Sequence, residues 1–246
     1  MIFDAHFHII DPRFPLVPNQ GYLPPAFSAE TYRARVQPLN VTGGAVVSGS
    51  FQAFDQQYLV AALQALGPGF VGVTQIPADI TDGEIQRLLE AGVRAVRFNV
   101  QRGGSEGLEH LERVSRRVFD LVGWHTELYV DSIMLKDMQS RLKQLPGVSI
   151  DHLGLSKEGL PYLLELVSYG VKVKASGFSR CNFNVVEAMQ EIMDINPAAL
   201  IFGTDLPSTR APQPFKDEDV QLIKDNFSRE QARKILYQNG MDFYRL

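Results

Sequence analysis

The sequence predicts an α/β protein: a single (β/α)8 TIM barrel over residues 1–246, with its active site at the C-terminal ends of the strands. Three observations lead there. Short β-branched runs alternate with longer amphipathic stretches along the chain. Eight such runs occur, each followed by a helical stretch, which calls for parallel pairing through right-handed crossovers. The length, 246 residues, is close to that of a typical barrel of this kind. An open doubly wound sheet is the rival, and the absence of GxGxxG after the first run weakens its dinucleotide-binding form.

The expected strands are 2–8, 44–48, 70–75, 95–99, 127–130, 148–152, 171–176 and 200–203. Between them apolar residues recur at helical spacing. Leu108, Leu111, Val114, Val118 and Leu121 form one stripe; Leu135, Met138, Leu142 and Leu145 form a second; Val185, Met189, Ile192 and Met193 form a third. Thr81 with Glu84 and Ser228 with Gln231 read as capping boxes. The connection after the first strand is long and carries Pro12, Pro15, Pro18, Pro24 and Pro25, which suits a stiff binding loop or lid.

Composition narrows the function. Hydrophobic residues at 45% and charged ones at 21% fit a folded core rather than a disordered chain or coiled coil. A net charge of −4 argues against nucleic acid as partner. One cysteine, Cys181, excludes a disulfide within the chain and fits a reducing compartment. The N-terminal stretch MIFDAHFHII lacks a basic region and a cleavage site, and no apolar run reaches the ~20 residues of a spanning helix. A soluble, cytoplasmic protein without a membrane partner is expected.

Polar residues gather at the strand ends. Alternation puts Asp4, His6 and His8 on one face of the first strand and Phe3, Ala5 and Phe7 on the other. Two imidazoles there suit a metal ion or a carbonyl oxygen that needs polarising; two histidines satisfied by backbone groups are the plain alternative. His152 ends strand six on the face of Ile150, and Asp205 follows strand eight on the face of Gly203. Alone, the first reads as a core histidine and the second as a turn aspartate. Together the four make a site. His125 begins strand five at the opposite end and reads as structural, packed by Trp124; His110 reads as a surface residue in the middle of helix four.

Arg97, Arg102, Arg180 and Arg210 follow or end strands, and guanidinium groups bind carboxylates in a fork. They point to a small anionic, carboxylated substrate despite the acidic chain. Ser48, Ser50 and Tyr22 are candidate hydrogen-bond donors to it. Lys172, Lys174 and Ser176 share one face of strand seven; Lys174 reads either as part of the site or, the preferred reading, as paired with a core acid such as Asp4. Cys181 beside Arg180 is a candidate for a lowered thiol pKa.

With DAHFHI, IDHLG, FGTDLP and the ending YQNGMDFYRL, the sequence resembles the amidohydrolase superfamily. GYLPP, VRFN, GWHTELYVD and KASGF extend the resemblance to its amidohydrolase-related (amidohydrolase 2) group of lactonases, including those acting on pyrone dicarboxylates. The resemblance implies a β/α barrel that hydrolyses a carboxylated lactone. It implies His6, His8 and His152 as catalytic histidines and Asp205 as general base. Arg97, Arg102 and Arg180 become carboxylate binders, with Tyr22, Ser48 and Ser50 as lesser pocket members.

Strand four carries Arg97 where many metal-dependent relatives carry Lys or Glu, and strand five ends in Val130-Asp131 rather than His. A binuclear centre is therefore not expected. The resemblance to the lactonases on pyrone dicarboxylates, which work without a metal, implies no cofactor as the first expectation, and this fits clustered arginines that repel a nearby cation. One divalent ion, zinc, on His6, His8 and Asp205 is the alternative. The expected chemistry is lactone hydrolysis. The rivals are a metal-dependent decarboxylase or hydrolase of the same superfamily, and a non-catalytic barrel that binds a carboxylated metabolite. The loop Ser208-Thr209-Arg210 and the chain's shortness depart from the lactonase pattern.

Overall fold

All eight expected runs pair as parallel strands. In the computed structural model, which describes residues 1–246, they form one sheet ordered β1 to β8. The strands are β1 (Ile2–Phe7), β2 (Val41–Val47), β3 (Phe70–Thr74), β4 (Val93–Asn99), β5 (His125–Tyr129), β6 (Val148–Ile150), β7 (Lys172–Ala175) and β8 (Leu200–Phe202). The ring closes just beyond the ladder. Asp205 N–H donates to the His6 carbonyl and His8 N–H to the Leu206 carbonyl, both at 2.7 Å. The segment that carries Asp205 is thereby laid directly against the histidines of β1.

A helix follows each strand: α1 (Ala29–Val36), α2 (Gln57–Leu66), α3 (Asp82–Glu90), α4 (Leu111–Val122), α5 (Leu135–Leu142), α6 (Leu160–Ser168), α7 (Val185–Ile195) and α8 (Asp217–Asn226). α9 (Arg229–Arg233), a π-helical turn (Lys234–Gln238) and α10 (Asn239–Tyr244) complete the chain. Both expected capping boxes form, at Thr81/Glu84 and Ser228/Gln231. The stripes bury as their period requires: Leu111, Val114 and Val118 on α4, and Met189, Ile192 and Met193 on α7. Each such aliphatic side chain contributes ~1.5–3 kcal/mol when removed from water. No helix is long and apolar enough to cross a membrane.

Two buried clusters result. The larger lies between strands and helices; the smaller lies inside the barrel and includes Phe3, Ala5, Val47, Val73, Ile201 and Tyr244. Tyr244 reaches in from α10, and its hydroxyl donates to Glu127 and to the Ala5 carbonyl.

Several local expectations need correction. A register shift between Asp4 and Phe7 breaks the alternation of β1. Phe3 and Ala5 face the barrel interior, yet Phe7 stacks on Tyr32 of α1, in the outer layer. Asp4 does not share the face of His6 and His8; it accepts from Tyr32 and Thr204. Lys174 consequently pairs with Glu127 and Asp151, not with Asp4. β6 ends at Ile150, and His152 lies beyond it with φ at 53°, so Asp151 rather than His152 continues the inward alternation. His110 caps α4 instead of sitting mid-helix, and the His125 ring packs on Phe243 at 3.9 Å rather than on Trp124. Burial pushes the Cys181 thiol up to about 12, so Arg180 does not activate it.

Candidate active site

The strand ends converge where the chain turns sharply. His152 and Asp205 both adopt left-handed φ, 53° and 58°, uncommon for residues other than glycine and frequent at functional sites. Two glycines make room. A Cβ at Gly203 would lie 2.6 Å from the Cβ of His6, and one at Gly177 would lie 2.8 Å from His152 Nδ1.

Three imidazoles surround one carboxylate oxygen. Asp205 Oδ1 lies 3.8 Å from His6 Nε2, 3.8 Å from His8 Nε2 and 3.9 Å from His152 Nε2. Its other oxygen accepts from Arg180, at 2.9 Å from Nε and 2.8 Å from Nη2. Burial alone would raise the Asp205 pKa; the Arg180 guanidinium on its other oxygen holds it far below the ordinary carboxylate range. Asp205 is thus ionised throughout the physiological range.

The histidines are tuned differently. His8 Nδ1 lies 2.7 Å from the Val47 carbonyl, which can only accept, so the ring proton sits on Nδ1. In a neutral ring His8 Nε2 is then the lone-pair nitrogen, 3.8 Å from Asp205 Oδ1. His6 is wholly buried, and burial pulls its pKa down to about 4 against the pull of Asp151. His152 lies well below the ordinary value, first through burial, and its Nδ1 meets Ser176 Oγ at 2.9 Å. His6 and His152 are therefore neutral at pH 7.

Eight expected residues line one pocket above this cluster: His8, Ser50, Arg97, Arg102, His152, Arg180, Asp205 and Arg210. The other three lie around it. His6 is below the floor. Ser48 turns its hydroxyl to Tyr58 at 2.6 Å, while its carbonyl accepts from Arg97 at 2.7 Å. Tyr22 lies under Arg210, whose guanidinium carbon is 4.5 Å from the ring centre.

The arginines divide into two kinds. Arg97 is neutralised by Asp151 at 2.8 Å and Arg180 by Asp205. Arg210 bonds only Asn19, through its side-chain and backbone oxygens, and burial and the charge of Arg102 lower its pKa. Arg102 and Arg210 thus bring positive charge without a carboxylate partner, which favours an anionic occupant.

Sequence reasoning passed over Tyr129, which lines the pocket, and Asp151 and Glu127, which underlie it. Tyr129 carried a signal: it is one alternation beyond Glu127 on β5. Asp151 gave none, because the assumed strand end at 152 placed it on the outer face.

His6, His8 and Asp205 each bring one ligand atom within 4.8 Å of the others, the spacing of a cation site. A ligating imidazole offers its lone pair and gives its other N–H to an acceptor. His8 meets that condition. His6 does not, because the Lys174 ammonium donates to its Nδ1 at 3.3 Å. As arranged, the three do not fit a divalent ion.

A parallel barrel with imidazoles and an ionised carboxylate at the strand ends, under an arginine-rich pocket, is the layout of a barrel hydrolase. The chain belongs to the amidohydrolase family, whose model matches residues 3–246, and it is an enzyme. It is 26% identical over 275 residues to a 2-pyrone-4,6-dicarbaxylate hydrolase of Comamonas testosteroni, covering 98% of this chain and 89% of that one. It is 26% identical over 268 residues to a 4-sulfomuconolactone hydrolase of Rhizobium radiobacter, covering 96% and 87%. Among solved structures, a probable 2-pyrone-4,6-dicarboxylic acid hydrolase of Acinetobacter baumannii, with citric acid bound, superposes with a TM-score of 0.85. That pair is 23% identical and covers 100% of this chain and 99% of the other, a likeness of fold.

Proposed function

We propose that this enzyme hydrolyses a carboxylated lactone or pyrone ring without a metal ion. One observation carries the reading: an ionised, buried Asp205 with a free oxygen faces His8 and His152 beneath two uncompensated arginines. The lactone relatives support the reaction class.

Arg102 and Arg210 attract the substrate carboxylates, with Arg97 and Arg180 deeper. The scissile carbonyl lies beside His152. In this reading the Ser176 hydroxyl, 2.9 Å from His152 Nδ1, donates to it, which leaves Nε2–H for the carbonyl oxygen and then for the oxyanion. The attacking water donates to Asp205 Oδ1 and to the lone pair of His8 Nε2, so its own lone pair faces the carbonyl carbon. Asp205 takes the proton as the C–O bond forms. The tetrahedral adduct collapses, the ring C–O bond breaks, and Asp205 returns the proton to the ring oxygen. The products are a hydroxyl group and a carboxylic acid, which releases the second proton of the water to solvent and leaves as a carboxylate. A substrate carboxylate on Arg180 draws that charge from Asp205 and raises its basicity, so binding primes the base.

The test is acid release from a panel of carboxylated lactones and pyrones, followed with a pH indicator in metal-free buffer containing a chelator. Turnover of one compound, lowered ~10²–10⁴-fold in Asp205→Asn, is expected. Turnover that appears only with added zinc selects the metal-dependent reading. Asp205→Asn with normal turnover removes Asp205 from its role.

A further inference from the structure

We propose that Lys174 is a positioning residue that fixes which nitrogen of His6 carries the proton, and so makes His6 a donor toward the buried side of Asp205. The proposal rests on Asp205 being the base in the reading above.

Lys174 projects from β7 into the barrel with no exposed surface. Its Nζ has three acceptors around it: Glu127 Oε2, His6 Nδ1 at 3.3 Å and Asp151 Oδ1 at 3.5 Å. An ammonium has three protons and no lone pair. A hydrogen bond from Lys174 to His6 therefore has Nδ1 as its acceptor, which puts the single proton of the neutral ring on Nε2. That atom is buried, has no hydrogen-bond partner, and lies 3.8 Å from Asp205 Oδ1, which is likewise buried and unpartnered. With the proton on Nε2, a donor faces an anion. With the proton on Nδ1, His6 Nε2 and Asp205 Oδ1 would be two acceptors facing each other away from the pocket, whereas His8 Nε2, at the same distance, lines the pocket where the attacking water of the reading above bridges it to Asp205.

One group competes. Asp151 Oδ1 is 3.4 Å from His6 Nδ1 and would accept a proton there. It makes no hydrogen bond to the ring. Arg97 and Lys174 flank Asp151 and compensate its charge, which removes its claim on the His6 proton. Lys174 is itself anchored from below by Glu127, which also accepts from Tyr244 and meets His125 Nε2 at 3.0 Å. Without the Lys174 ammonium, Asp151 would draw the proton to Nδ1. His6 Nε2, His8 Nε2 and Asp205 would then present two lone pairs and a carboxylate, the ligand set of a divalent cation. Lys174 decides between these two sites.

The test is the ring protonation of His6 in the intact chain, labelled with ¹⁵N-histidine. Two-bond ¹⁵N–¹H correlations distinguish the two neutral forms, and His6→Gln assigns the signal. The expected pattern at neutral pH is Nε2–H; a protonated Nδ1 overturns the proposal. This readout needs no turnover, so it separates failure of the Lys174 role from failure of the lactonase reading. It also stands on the wild-type chain if variants do not fold.

The second arm is the double variant Lys174→Met/Glu127→Gln, which removes both charges together. Expected are a shift of His6 to the Nδ1–H form and zinc chloride retained through gel filtration where the wild type retains none. Where the panel yields a substrate, kcat should fall ~10–100-fold with KM little changed. A double variant that keeps the Nε2–H pattern, or a wild type that retains zinc equally, overturns it.

Discussion

The barrel interior has two unlike halves. β2 and β3 turn Ala45, Val47, Val71 and Val73 inward, and the space fills with aliphatic and aromatic carbon. β5 and β7 turn Glu127 and Lys174 inward and Asp151 joins them just beyond β6, all with no exposed surface. The strand geometry is the same; the physics is not. The first half gains stability from packing and from loss of apolar surface to water. The second carries a desolvation penalty that its internal pairing only repays, which well-packed hydrophobic residues would avoid. Charge is kept where it aims Arg97 and His6 at the reacting groups above, and carbon is kept where nothing needs aiming.

Single replacements sharpen that contrast. The largest stability loss is expected from Lys174→Met alone, which leaves Glu127 a buried acid with only Tyr244 and His125 beside it and takes from Asp151 one of its two cations, Arg97 remaining. Urea unfolding should show a loss of ~3–5 kcal/mol. Ile201→Val on the apolar side should lose only ~0.5–1.5 kcal/mol. Equal losses would erase the distinction between the halves.

Acid should act on the charged half next. Burial would raise the pKa values of Glu127 and Asp151. Lys174 with His125 for Glu127, and His6 with Lys174 and Arg97 for Asp151, hold both below ordinary carboxylates. A folded pKa below the unfolded one means stability that is complete above ~pH 4–4.5 and drains as pH falls toward the depressed values. Denaturant midpoints taken downward from pH 5 should therefore fall, and fall less steeply in Lys174→Met/Glu127→Gln. Parallel slopes would mean that other carboxylates govern acid unfolding.

The smallest effect is expected at Ser149, whose buried hydroxyl has no hydrogen-bond partner. Ser149→Ala removes a polar group that nothing satisfies, so the thermal midpoint should hold or rise slightly. A clear fall would show that Ser149 belongs to the charged network.

Strands and helices were legible because their periods survive in the sequence. The apolar half was legible for the same reason, since Val and Ala at period two can only face a core. The charged half was not. Inward Glu127, Asp151 and Lys174 look like outward polar residues until the strand ends are known, and β6 ends two residues before the run suggests. The bulge in β1 turned Asp4 away from His6, which no alternation rule foresees. Four strand-end residues, His6, His8, His152 and Asp205, were found because strand termini in this fold converge whatever the intervening register. Asn19 gave no sign of its place at the mouth, because its partners lie in loops 83 and 191 residues away.

Asn19 Nδ2 donates to the Arg102 carbonyl at 3.0 Å, and its Oδ1 accepts from Arg210 at 3.0 Å, so one side chain ties the loops after β1, β4 and β8. The cavity beneath is about 30 Å³, against the ~300–1,000 Å³ usual for a small-molecule pocket. On the proposed reading, a ring bearing carboxylates would need that knot to loosen, and loosening it would free three loops at once. Admission to the site would then be a single cooperative event rather than three independent loop movements.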